Sequence, residues 1–597
     1  MVIIPRMRVL ARISGVLVIL LIACGREPAA PLPPSADADS KRAVNTGEVV
    51  GFVGPYGNHA WLGLPFAKPP TGELRWRAPR PPDPWTGTRD SLAYGSPCPQ
   101  FASRIGGVEA PPGSVVGSED CLYLNVFAPR FAGQDVPKQG AQLPVMFWIH
   151  GGGNSIGHAG FYDGGSLAAS ENVIVVTTNY RLGPLGWLYH PALSDAEATP
   201  LDRSGNYGTL DLVRALGWVR ENAAAFGGDP ERVMIFGESA GGANVLSLLA
   251  SPLAYGLFHR AAVQSGGIST ASVAEARAGN PNDGPEGSTG SDAIVAALGD
   301  APRSRSAEEI LRAYPGDKAF GMLNIPTLIR DGVVLPERDT REVFARGDHN
   351  QVPIVLGTNR DEIKLFIFGD PELVRRWFGI FPMLRVPEEQ YQMIAEYGSK
   401  AMKASAVDTL APVLRVSQGP SVYAYRFDWD EEPTLFFADY GVLLGAAHGF
   451  EIPFVFGHWK LGGAGDRLFD AKNLSGREAL SAQMRSYWTQ LAYTGGPGRG
   501  RKGDLAPWTA WDNATPESLK YMVFDTEAGG GVRMSYETYD KARIIAEIGE
   551  DPRLPTWREK CRELHGLALF SGYYTRDDYA AEPGCADFPF AAYPWGE

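Results

Sequence analysis

Two segments carry the spacing Gly-x-Ser-x-Gly: Gly153-Asn154-Ser155-Ile156-Gly157 and Gly237-Glu238-Ser239-Ala240-Gly241. A serine hydroxyl lifted between two glycines can attack a carbonyl if a base takes its proton. The spacing alone decides little. Glycine is 71 of 597 residues, so chance supplies about 0.5 matches in such a chain. Context separates the two. A nucleophile needs a strand before it and a helix after it, so that the turn raises the hydroxyl and a helix N-terminus faces the reaction. Ser239 follows the apolar run Val233-Met234-Ile235-Phe236 and the small residues Ala240, Gly241 and Gly242 lead into a helical stretch over 243–250. Ser155 is followed by Gly157, Gly160, Tyr162 and Gly164, which is loop composition. Ser239 is the expected nucleophile and Ser155 a polar loop residue.

His150-Gly151-Gly152-Gly153 follows another apolar run. Consecutive glycines let backbone amides approach a substrate oxygen closely, an oxyanion-hole arrangement. The N–H groups of Gly152, Gly153 and Ala240 are the expected donors. A base must come from nine histidines. His448 is flanked by glycines, in Gly445-Ala446-Ala447-His448-Gly449, just before an apolar stretch, as a loop residue projecting into a cleft should be. By residues alone it leads the others without excluding them.

The elements that must hold these residues have a common character. Residues 143–149, 173–178, 233–236 and 353–356 are continuous apolar runs separated by helix-like segments, which predicts a parallel sheet buried on both faces. Residues 210–226 have helical spacing and stop at Gly227-Gly228-Asp229-Pro230. Residues 266–305 are rich in Gly, Ser, Asn and Pro and are predicted to be surface loop. The stretch from 548 on is irregular and aromatic.

These residues resemble the type-B carboxylesterases, the cholinesterase-like branch of the α/β-hydrolases. The matching motifs run in order: Leu64-Pro65-Phe66-Ala67-Lys68-Pro69-Pro70 with Arg75-Trp76, Ser118-Glu119-Asp120-Cys121-Leu122-Tyr123-Leu124-Asn125, His150-Gly151-Gly152-Gly153, Asn179-Tyr180-Arg181-Leu182-Gly183, Phe226-Gly227-Gly228-Asp229-Pro230, Phe236-Gly237-Glu238-Ser239-Ala240-Gly241-Gly242, Gly357-Thr358-Asn359-Arg360-Asp361-Glu362 and the His448 segment. The likeness covers roughly 47–540. It implies an α/β-hydrolase fold with a large, mostly parallel sheet flanked by helices. It implies Ser239 as nucleophile, His448 as base and Glu362 as orienting acid, with Asp361 the neighbouring alternative. It further implies a Cys98–Cys121 disulfide, ion pairs Arg75–Glu119 and Arg181–Asp211, and supporting positions at Glu238 and Ser265. The chemistry would be two-step acyl transfer on a small carboxylic ester. A lipase or sterol-ester hydrolase would use the same triad. A non-catalytic cholinesterase-like binding module would lack part of it. The tryptophan that stacks on choline esters in the cholinesterases has no counterpart between Cys98 and Cys121. Leu212 and Ile363 stand where the family usually has Gln and often has Gly.

The N-terminus lies outside the likeness. Arg6, Arg8 and Arg12 precede an apolar stretch at 16–22, too short to span a membrane stably. It ends at Leu21-Ile22-Ala23-Cys24, which resembles a bacterial lipobox. The implication is lipidation at Cys24 and placement on the outer membrane facing the periplasm, since Gly25 replaces a retention aspartate. Secretion is the alternative. The expected division is 1–24 leader, 25–46 Pro/Ala-rich tether, 47–547 catalytic domain and 548–597 extension. Export makes disulfides available. Four remaining cysteines allow three connectivities, and the local pairs Cys98–Cys121 and Cys561–Cys585 close the shorter loops. The formal net charge of −13 argues against nucleic acid and anionic lipid surfaces as partners. No zinc-type ligand spacing or phosphate loop occurs, so no metal or cofactor is expected.

Overall fold

Alternate residues of the run at 143–149 enter opposite cores, and this organises the molecule. Val145, Phe147 and Ile149 belong to one apolar cluster, Met146 and Trp148 to another. A strand buried on both faces has this pattern. The computed structural model describes residues 33–280, 288–315, 319–377, 380–570 and 573–593.

The central sheet has eleven strands, numbered in chain order: β1 (Phe52–Val53), β2 (His59–Pro65), β3 (Tyr123–Ala128), β4 (Leu143–Ile149), β5 (Ile174–Thr178), β6 (Gly228–Glu238), β7 (Arg260–Gln264), β8 (Ile354–Asn359), β9 (Val422–Phe427), β10 (Tyr521–Phe524) and β11 (Arg533–Ser535). Across the sheet the order is β11-β10-β9-β8-β7-β6-β4-β5-β3-β2-β1. The stretch from β10 to β5 is parallel throughout. Both edges are antiparallel.

Six helices matter here: α1 (Tyr207–Asn222), α2 (Ala240–Ala250), α3 (Glu388–Lys403), α4 (Leu474–Thr494), α5 (Lys541–Glu550) and α6 (Trp557–Phe570). α1 and α2 place Leu212, Leu216, Val245 and Leu248 on the face with Val233 and Ile235. α4 places Met484, Tyr487, Trp488 and Leu491 on the other face with Met234 and Phe236. Burying each such side chain stabilises by about 1.5–3 kcal/mol. Among the described residues no helix is long and apolar enough to cross a membrane.

Both expected disulfides are present, Cys98–Cys121 and Cys561–Cys585. Each closes a loop worth roughly 3 kcal/mol in the chain-entropy account. The two expected ion pairs are also present. Arg181 meets Asp211 through two bonds of 2.7 and 2.8 Å, both side chains being buried, and Arg75 donates Nε to Glu119 at 2.7 Å.

Three segments differ from their predicted character. Residues 266–305 are not all loop: Val273–Ala278 and Ser291–Leu298 are helices, the first held by a capping box between Ser272 and Glu275. The stretch after 548 is not irregular: α5 and α6 pack Ile544, Ile548, Leu564 and Leu567 against Met393 and Tyr397 of α3. The compact unit begins at Ser35, inside the expected 25–46 tether, because Arg42–Val44 pairs with Gly47–Val50. The expected lipidation at Cys24 lies outside the described residues.

Candidate active site

The carboxyl ends of β4, β6, β7 and β8 lie side by side, and one functional element leaves from each. Open α/β sheets bind ligands along this edge. Ser239 is the single residue between β6 and α2, with φ 57° and ψ −123°. A non-glycine residue there is strained by about 1–3 kcal/mol. Two close approaches hold the turn. A Cβ on Gly237 or Gly241 would lie 2.6 or 2.0 Å from the Ile149 carbonyl oxygen, so only glycine fits at either position. The Ser239 N–H donates to the Gln264 carbonyl at 2.8 Å, tying the turn to the end of β7.

The glycine loop after β4 lies against this turn. A Cβ on Gly151 would sit 3.1 Å from Ser239 Cβ. Gly152 and Gly153 have φ of 96° and 60°, a conformation glycine adopts freely. The N–H groups of Gly152, Gly153 and Ala240 carry no hydrogen-bond partner among the described residues. Ser155, the second Gly-x-Ser-x-Gly serine, is buried and occupied elsewhere. Its hydroxyl lies 3.3 Å from the Leu323 carbonyl and accepts from the Leu323 N–H at 3.2 Å. It fixes the glycine loop to a segment that brings Met322 over Gly153, where a Cβ would meet its sulfur at 2.8 Å.

Beyond β8 the chain turns so that Glu362, not Asp361, faces the site. One Glu362 oxygen, Oε1, accepts from Ser265 Oγ at 2.6 Å and from the Asn359 N–H at 2.7 Å. The other, Oε2, lies 2.6 Å from His448 Nδ1. Asp361 points away, pairing with Arg360 at 2.7 Å and Lys364 at 3.3 Å and accepting from the Ala446 N–H. His448 is packed beneath Phe366, ring centroids 5.3 Å apart. Its Nε2 lies 3.0 Å from Glu238 Oε1, the residue next to Ser239.

Two participants are not evident from motif chemistry. Glu451 accepts from Asn359 Nδ2 at 2.6 Å and from Gln264 Nε2 at 3.1 Å. Gln264 in turn accepts from Trp488 Nε1 at 3.2 Å. A carboxylate three residues after a leading histidine was the available signal for Glu451.

Glu238, Glu362 and Glu451 are all buried around one imidazole. Burial opposes charge on His448, but the Glu238 and Glu362 carboxylates outweigh it and raise its pKa above the usual imidazole value. Burial, with repulsion from Glu451 and Glu362, raises the Glu238 pKa despite the imidazole. The two groups titrate together: while Glu238 is ionised, the imidazolium is held. Glu238→Gln removes that anion. The acid limb of its kcat/KM–pH profile is expected to move about one pH unit lower. An unmoved limb would contradict the coupling. His150 is pushed to about 3 by burial and stacks on Tyr180 at 4.5 Å, so it is a neutral packing residue at ordinary pH.

A profile of the carboxylesterase family matches residues 38–376. The para-nitrobenzyl esterase of Bacillus subtilis (strain 168) is 35% identical over 508 residues, covering 79% of this chain and 92% of its own. The Homo sapiens cocaine esterase is 34% identical over 541 residues, covering 82% and 88%. A carboxylesterase structure from Geobacillus stearothermophilus superposes with a TM-score of 0.62 at 31% identity, covering 85% of this chain and 99% of its own.

Proposed function

The chain belongs to the carboxylesterase family and is a serine hydrolase of carboxylic esters; on that premise we propose that Ser239, His448 and Glu362 carry the reaction. The observation that supports the assignment is the position of His448. Glu362 holds its Nδ1 at 2.6 Å, while its Nε2 faces residue 238, beside the strained serine. His448 takes the Ser239 proton as the oxygen attacks the ester carbonyl. The oxyanion forms against the N–H groups of Gly152, Gly153 and Ala240, each worth about 3–4 kcal/mol of barrier. The imidazolium then protonates the leaving alcohol, and water repeats the sequence on the acyl-enzyme. Ser265 and Asn359 hold Glu362; Glu238 sets the charge opposite Nε2.

The buried carboxylates around His448 disfavour an anionic group at the reacting carbon, so we place the substrate among uncharged esters. Acid-quenching the enzyme during turnover of an aryl ester should leave the acyl group on the peptide bearing Ser239. Acyl transfer to another residue would refute the mechanism.

Two disulfides fit an oxidising compartment. We propose export with anchoring through Cys24. Radiolabelled palmitate should appear on the wild type and not on Cys24→Ala; label on both would exclude this residue.

A further inference from the structure

Two hairpins beside the site bring exposed apolar side chains together at the described residues of their tips, Trp377 and Ile380 in one and Phe436 and Phe437 in the other. In the first, Val374–Trp377 pairs with Phe381–Leu384; in the second, Thr434–Leu435 pairs with Ala438–Asp439. Ring centroids of Phe381 and Phe436 lie 5.0 Å apart, and those of Trp377 and Phe437 6.0 Å apart, so the tips form one surface. That surface adjoins the site. The Arg376 guanidinium lies 4.7 Å from the Phe368 ring, Phe368 packs on Tyr440, and Phe366 packs on His448.

Phe436 is 81% exposed, Ile380 69%, Trp377 53% and Phe437 50%. A contiguous exposed apolar surface marks contact with something other than water. The backbone gives a second, independent indication. Phe436 and Phe437 are the two central residues of a tight turn, and Phe436 has φ +59°. Glycine ordinarily occupies such a position, and a bulky aromatic there is strained. Folding alone favours glycine followed by a small polar residue. Two phenylalanines at the tip therefore point to a role outside the fold.

The surrounding charges indicate the occupant. Arg375 and Arg376 are exposed beside the tips and make no ion pair among the described residues. Of the nearby acids, Glu372 lies 3.7 Å from Arg385, and Asp439 caps the Val442 N–H. Apolar tips with guanidinium groups not paired to acids at their base match the acyl and phosphate layers of a phospholipid surface. The net charge of −13 opposes a strongly anionic surface, so insertion of the apolar tips must dominate.

We propose that these hairpin tips dock the enzyme on a zwitterionic phospholipid surface, with the active site at the rim of the docked face, so that it takes esters from the lipid phase. The uptake rests on the active-site reading above; the docking does not.

The test compares the full chain with its Phe436→Gly/Phe437→Ser variant. Any N-terminal anchor is common to both. Each acts on a long-chain fluorogenic ester held in phosphatidylcholine vesicles and on a soluble short-chain ester. Turnover in vesicles and apparent vesicle affinity should each fall roughly tenfold or more in the variant, including at about 0.5 M salt, where charge contacts are screened. Soluble turnover should stay within about twofold, and the thermal midpoint should hold or rise as glycine relieves the turn. Equal vesicle turnover and affinity in both chains would overturn the proposal. So would a change from dimer to monomer at equal vesicle affinity, which would make the surface a contact between copies. A wild type inactive on both esters would instead refute the active-site reading, and vesicle affinity would still decide the docking.

Discussion

Ser239→Ala is expected to lower kcat/KM for a soluble ester by about a millionfold, with the fold intact. The size follows from the position. Ser239 is the only residue between β6 and α2, and the glycine loop and α2 present N–H groups beside it that have no partner among the described residues. Removing the oxygen leaves these donors in place, so a residual rate above the uncatalysed reaction should remain, roughly a thousandfold. Alanine keeps the backbone and the Ser239 N–H bond to Gln264, so the thermal midpoint should hardly move. Ser155→Ala is the control. It loses the hydroxyl contacts to Leu323 and should cost about 1–3 kcal/mol of stability, with activity per folded molecule largely retained.

Glu362→Gln should cost about 10⁴-fold in kcat/KM, and the structure gives the reason. Oε1 accepts from both Ser265 and the Asn359 N–H. The amide oxygen of glutamine must therefore take that place, which turns its NH₂ toward His448. Nδ1 then becomes an acceptor and the ring proton moves to Nε2, where a base needs a free lone pair. The histidine remains in position in the wrong tautomer. Asp361→Asn should behave differently. It weakens the partner of Lys364, which is 3% exposed, so stability should fall by a few kcal/mol while kcat/KM stays within about tenfold. Midpoints and rates measured on both variants separate the two carboxylates. Equal kinetic losses would contradict the assignment.

The serine was legible because its requirements are local: an apolar strand, three small residues and a helix, all within about twenty positions. The parallel sheet was legible for the same reason, since runs such as 143–149 are apolar on both faces. The choice between Glu362 and Asp361 was not local. It depends on how the chain turns after β8, where the Asn359 N–H closes on Glu362, and only the family likeness supplied that frame. Gln264 and Met322 were not distinguishable, because their roles arise from contacts between segments far apart in the chain. In the C-terminal stretch the signal was present and weak. Cys561, Leu564, Leu567 and Ala568 form a helical stripe, but Gly566 and the flanking prolines obscure its period.

Mapping a fluorophosphonate adduct by peptide mass tests the central claim most directly. Such a reagent is trapped only by a serine that a base has activated and that faces oxyanion donors. The wild type should carry one adduct, on the peptide containing Ser239, and Ser239→Ala should carry none. An adduct on Ser155, or equal labelling of both chains, would contradict the account.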